Sequence, residues 1–166
     1  GELIGTTNPS SLIISGETKP KYQWAYGGDE SNVEIYGRLY TWHVVTDSRG
    51  ICPSGWHVPS YNEWDQLKKF VISTYGLDGY GSIGNHLKEV GSDHWAQNSA
   101  TGNNITNFTA LPGGWRNSNE SFTGLKSLAC WWLSDENNSY FINLSVGLGT
   151  NIGQKFIGNS VRCIKD

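Results

Sequence analysis

The stretch Pro59-Ser60-Tyr61-Asn62-Glu63-Trp64, continuing through Leu67, Phe70, Val71 and Tyr75 to Gly76, decides how the chain is organised. Pro59 stops the preceding segment. Ser60 followed three residues later by Glu63 has capping-box spacing, in which each side chain satisfies an orphan backbone donor. Trp64, Leu67, Val71 and Tyr75 then recur on one face at helical spacing, with Phe70 beside them. Gly76 suits the left-handed C-cap. The pattern predicts a helix over 60–75. A second short helix is expected over 83–90, with Leu87 and Val90 packing together, although Gly84 weakens that segment.

Outward from this helix the texture differs on the two sides. From Ala110 onward, short apolar runs are separated by Gly, Asn and Ser: Thr109 to Leu111, Trp131 to Leu133, Tyr140 to Leu144, Gln154 to Ile157 and Ser160 to Ile164. Short, regularly spaced runs with turn signals predict an antiparallel sheet. Helices first and strands second make an α+β domain. Upstream, Ser11 to Ile14 reads as an edge strand or a packed arm. Val33 to Val45 reads as a helix or a bent strand pair, and periodicity does not decide between them.

The chain has 166 residues, which fits one domain, and no linker or repeat divides it. Only 16% of residues are charged, while eight Trp, eight Tyr and five Phe make it rich in aromatics. That composition excludes a disordered chain. A net charge of -3 gives no basic footprint for nucleic acid or an anionic membrane. No apolar run reaches the roughly 18–20 residues that span a bilayer. Gly1 to Ile4 carries no signal-peptide features, which leaves secretion open. Low charge with 15 Asn, 18 Ser and 21 Gly fits extracellular sugar-binding and adhesive domains.

Enzyme signatures are thin. His86 and His94 lack zinc-site spacing, and no nucleophile elbow, phosphate loop or CxxC pair occurs. Three cysteines allow one disulfide and a free thiol, or none. Asp135 and Glu136 offer oxygen ligands of the kind calcium takes, without the spacing of a calcium loop; surface acids on a turn are the alternative. No metal or other cofactor is expected. Trp115-Arg116-Asn117 and Trp131-Trp132 carry more information. Strand alternation puts one of Trp131 and Trp132 inward and the other outward. An exposed Trp beside Asn and Arg can stack on the C–H face of a sugar while the polar groups fix its hydroxyls. A second layer of core is the alternative reading.

Several longer strings share order and spacing with one family. They are Tyr36-Gly37-Arg38-Leu39-Tyr40-Thr41-Trp42, Cys52-Pro53-Ser54-Gly55-Trp56-His57-Val58-Pro59, Leu87-Lys88-Glu89-Val90-Gly91, Phe108-Thr109-Ala110-Leu111-Pro112-Gly113-Gly114, Trp131-Trp132-Leu133-Ser134-Asp135-Glu136, and the closing Ser160 to Asp166. Together these resemble the Fibrobacter succinogenes major paralogous domain, a bacterial family common in surface proteins and lipoproteins. The resemblance covers 22–166 and leaves 1–21 as an N-terminal arm. It implies a C-type-lectin-like fold, on the side of formylglycine-generating-enzyme-like domains. In that fold the N- and C-terminal strands pair, two helices flank them and a long loop region carries the ligand site. It also implies a disulfide between Cys52 and Cys163, with Cys130 a free, buried thiol. The sugar-site tripeptides of calcium-dependent lectins are absent, as are the paired catalytic cysteines of formylglycine-generating enzymes.

The resulting expectation is a non-catalytic extracellular module at a bacterial surface, binding polysaccharide or glycan on the face built after Ala110. The expected contacts are Trp115, Arg116, Asn117, Trp132, Glu136, Asn138, Tyr140 and Asn143, with Asn151, Gln154 and Phe156 at the rim. Arg116 would meet an acidic sugar or anchor a loop. The alternative is a module that recognises a cell-surface protein through the same face.

Overall fold

The computed structural model describes residues 3–99, 102–135, 137–145 and 147–166. Its longest helix, α3 (Tyr61–Tyr75), starts and stops where the sequence dictates. The Ser60 hydroxyl accepts from the Glu63 amide, and the Glu63 carboxylate accepts from the Ser60 amide. Gly76 closes the helix at φ 62°, a conformation that costs a residue with a Cβ more than glycine. Three shorter helices accompany it: α1 (Val33–Tyr36), α2 (Trp42–Val45) and α4 (Ile83–Leu87). The segment 33–45 is therefore both helix and strand, because β2 (Leu39–Tyr40) lies between α1 and α2 and pairs with β1 (Gln23–Trp24).

The main sheet has five strands: β4 (Gly113–Arg116), β5 (Phe122–Leu125), β6 (Ala129–Trp132), β7 (Tyr140–Leu144) and β8 (Leu148–Ile152). Their order is β5-β4-β6-β7-β8. All pairs are antiparallel except β4 and β6, which meet in parallel at Gly114 and Ala129. The sheet is a middle layer. Trp131, Ile142 and Leu144 pack with Trp64 and Val71 of α3 and Ile83 and Leu87 of α4. On the other side Trp132 packs with Trp42 and Val45 of α2, Val58 and Ile157. The expectation of one outward tryptophan is thus corrected. Trp131 is 7% exposed and Trp132 0%, because both faces of β6 are covered.

Other expectations shift for local reasons. The second helix ends at Leu87, and Val90 is 61% exposed instead of packing on Leu87. Buried Lys88 takes an extended conformation there and pairs with Ala110, which turns the chain out of the helix. Its Nζ donates to the Ser99 carbonyl at 2.9 Å and lies 4.5 Å from the Trp95 ring centroid. Residues 11–14 form a packed arm with Ile14 buried, and 154–157 form a turn closed by the Ile157 amide on the Gln154 carbonyl. The terminal strand β9 (Ile164–Lys165) pairs with β3 (Trp56–His57), so the first strand is not its partner.

A covalent link stands beside that pairing. Cys52 and Cys163 form a disulfide across 111 residues, close to both β3 and β9. Cys130 is free and buried, and burial pushes its thiol pKa up to about 12. Such a thiol is inert at neutral pH.

His57 ties the same corner to α3. Its Nδ1 lies 2.6 Å from Asp166 Oδ1 and its Nε2 2.8 Å from Glu63 Oε1. The bond to Asp166, then that to Glu63, raises the imidazole above its ordinary value of 6.5. Glu63 is lowered, chiefly by the Ser60 amide. A group whose folded pKa is raised contributes stability in full below its unfolded pKa and loses it as pH rises through the folded value. The contribution of protonated His57 is therefore complete below 6.5 and disappears above its raised value. That of ionised Glu63 is present above 4.5 and disappears as pH falls through its lowered value. An NMR titration of the His57 ring is expected to give a midpoint above 6.5, and a midpoint at or below that value would refute the pairing. His57→Gln should flatten the fall in thermal stability on the alkaline side.

Candidate functional site

Strand alternation sorts the expected contacts by face. On β4, Trp115 faces the same side as Trp132, and Arg116 faces the opposite side. The half-buried Trp115 ring stacks on half-buried Phe141, with centroids 6.3 Å apart and planes at 22°. Phe141 in turn meets Trp132 edge-on at 5.9 Å. In register, Trp132 lies opposite Phe141 and Phe141 opposite Asn151, while Cys130 lies opposite Asn143 and Asn143 opposite Gly149. Trp115 is also cross-strand from exposed Thr123.

At the outer edge of this face Asn151 Nδ2 donates to Asn143 Oδ1 at 3.0 Å. That single bond uses the acceptor of one amide and the donor group of the other. The Asn143 NH2 group and the Asn151 carbonyl make no other bond among the described residues, so half-buried Asn143 keeps a donor and exposed Asn151 an acceptor without a protein partner. Gly149 makes room for the pair: a Cβ there would lie 2.4 Å from Asn143 Oδ1. Trp115, Phe141, Asn143 and Asn151 thus form one continuous aromatic-and-amide face. Phe156 packs at its base with the Trp132 cluster, and exposed Gln154 stands in the neighbouring turn.

Other expected contacts belong elsewhere. Arg116 is 0% exposed, and burial lowers its pKa. Its Nε donates to the Ser10 carbonyl at 3.2 Å, its Nη2 to the Leu12 carbonyl at 2.7 Å, and its guanidinium lies 4.4 Å over Trp24. It anchors the N-terminal arm. Trp132 is 0% exposed and donates its indole N–H to the Tyr40 carbonyl at 2.6 Å. Tyr140 points to the opposite side of the sheet, against Tyr61 at 5.4 Å. Asn117 accepts from the Ser118 amide in the turn joining β4 to β5. Exposed Asn138 sits in the turn before β7, where its carbonyl accepts from the Tyr140 amide. Glu136 lies outside the described residues.

Asp135 holds the start of α3. Its carboxylate accepts from the Tyr61 amide at 2.8 Å, at the positive end of that helix. Among the described residues, no three His, Cys, Asp or Glu side chains are grouped to hold a metal. No helix of the described residues is long and apolar enough to cross a membrane. Phe141 is a site residue absent from the expected contacts, although alternation marks it: with Ile142 and Leu144 in the core, Phe141 and Asn143 must share the other face.

Fold and site together define a disulfide-bridged α+β domain whose mixed sheet presents aromatic and amide groups at one margin. The profile of the Fibrobacter succinogenes major domain matches residues 6–165, and the chain belongs to that family. The match takes in 6–21, the arm held by Arg116. No curated protein and no solved structure matches the chain.

Proposed function

We propose that this domain is a non-catalytic extracellular binding module of a bacterial surface or secreted protein, and that it holds polysaccharide or glycan on the Trp115–Phe141–Asn143–Asn151 face. The observation that carries this reading is the Asn143–Asn151 amide pair set beside the Trp115–Phe141 stack. Neighbouring sugar hydroxyls each donate and accept, which matches an NH2 group and a carbonyl that have no protein partner. The aromatic rings suit the apolar C–H face of the same sugar. No metal is required by this arrangement, and none of the four groups is charged.

A glycan and polysaccharide array on the wild-type domain, with calcium and then with a chelator, tests the reading. Trp115→Ala is expected to weaken binding by about tenfold or more, since a buried aromatic contact contributes on the order of 1–2 kcal/mol. Asn151→Ala should weaken it less, by about threefold to tenfold, for one lost hydrogen bond. Binding that survives Trp115→Ala, or a blank array from folded protein, would defeat the proposal.

One observation favours recognition of a protein partner instead. Lys68 Nζ lies 5.4 Å from the Tyr61 ring and 5.0 Å from the Tyr80 ring, Tyr140 adjoins Tyr61, and exposed Ile152 is cross-strand from Tyr140. Tyrosine is enriched at protein interfaces and among their energetically dominant residues. A blank array together with capture of an envelope or host protein that Tyr80→Ala abolishes would establish this second reading.

A further inference from the structure

One groove holds a guanidinium that has no acceptor among the described residues. The groove encloses about 430 Å³ between the start of α3 and strand β9. Trp56, Trp64, Leu67, Phe108 and Ile164 make its apolar walls, and the Cys163 end of the disulfide fixes one side. Half-buried Arg162 enters it with its guanidinium 3.9 Å from the centroid of the Phe108 ring. Among the described residues no carboxylate or carbonyl holds that guanidinium, and burial alone lowers its pKa. Trp64 is 4% exposed, and its indole N–H is buried with no acceptor among the described residues.

The charges around the groove are unbalanced in one direction. Lys165 lines it beside Arg162. The one carboxylate on its walls among the described residues, Glu63, is already committed: Oε2 accepts from the Ser60 amide at 2.8 Å and hydroxyl at 2.7 Å, and Oε1 faces His57 at 2.8 Å. A half-buried cation without a counter-ion favours an anion more than the same cation in water would. The guanidinium fork matches a carboxylate in particular.

We propose that this groove binds a small apolar carboxylate, with its aryl or acyl body between Trp56, Leu67 and Ile164 and its carboxylate on Arg162. The site is separate from the Trp115 face and does not rest on the glycan reading. A purely structural Arg162, held only by its contact with Phe108, would show no preference for an acid over its neutral amide.

The test is a titration of the tryptophan-¹⁵N-labelled domain with indole-3-acetate, and separately with indole-3-acetamide, each to about 10 mM. Trp64→Phe assigns the Trp64 indole cross-peak by its loss. Saturable shifts of that cross-peak are expected, with Kd about 0.1–1 mM for a ligand of this size. The amide should bind at least tenfold more weakly. Arg162→Gln, checked for a native-like spectrum and melting temperature, should lose at least tenfold in acid affinity and leave the amide unchanged. Absence of a saturable shift, equal binding of acid and amide, or wild-type affinity in Arg162→Gln would each overturn the proposal.

Discussion

Replacing both Cys52 and Cys163 by serine is expected to lower the unfolding free energy by about 4–5 kcal/mol, the chain-entropy value for so long a closed loop. The disulfide encloses 111 residues of separation, nearly the whole domain after β2. Without it, the unfolded chain regains the freedom of that loop. For a domain of this size the melting temperature should fall by roughly 10–20 °C. The β3–β9 pair is only two residues long on each strand, so backbone hydrogen bonds alone do not replace the cross-link. Chemical denaturation of the double variant measures the effect. A loss below about 1 kcal/mol would mean that the bridge restricts the unfolded chain far less than its loop length implies.

The second large effect is expected at Arg116. Arg116→Ala removes a fully buried cation and leaves the carbonyls of Ser10 and Leu12 without their donors. It also removes the guanidinium from the Trp24 ring, whose own indole N–H donates to Thr7 Oγ1 at 2.8 Å. Residues 7–12 of the arm are therefore held by the Arg116 side chain and the Trp24 ring, while Gly5 pairs separately with Tyr22. Two lost charge-assisted hydrogen bonds and the resulting cavity together predict a destabilisation of about 3–5 kcal/mol. Hydrogen exchange should rise first in 7–14 and at Trp24. Arg116→Lys should fall between, because an ammonium keeps the charge and lacks the fork that reaches both carbonyls. Unchanged exchange in the arm would show that Arg116 does not hold it.

Arg116 also shows why the site is only partly legible in the sequence. Trp115-Arg116-Asn117 looks like one polar-aromatic grip when read as a string. In a strand, neighbours point to opposite faces, so Trp115 and Arg116 cannot serve one ligand. The same parity separates Tyr140 from Asn143, although both are residue types that suit an exposed site. It joins Asn143 to Phe141, whose side chain by itself reads as core. Trp131 and Trp132 have opposite directions as alternation requires, yet both are buried, because helices cover one face and the 154–157 turn with α2 covers the other. Strand direction is local. Whether something covers a face is not.

The amino-acid sequence by itself determined the elements whose causes lie within a few residues. Helix α3, from the Ser60–Glu63 capping box to Gly76, is legible because its donors and acceptors are three or four positions apart. The strand-rich second half, the α+β class and, through shared motifs, the family and the Cys52–Cys163 bridge are legible too. Only the tertiary structure decided which of these residues meet. Arg116 reaches Ser10 across 106 positions, and Trp132 reaches Tyr40 across 92. Phe141 lies beside Trp115, and Arg162 lies over Phe108 at a groove that no contiguous motif contains. Composition and spacing report what a residue can do. Burial and partnership arise from distant segments brought together, and they fix what each residue is left free to bind.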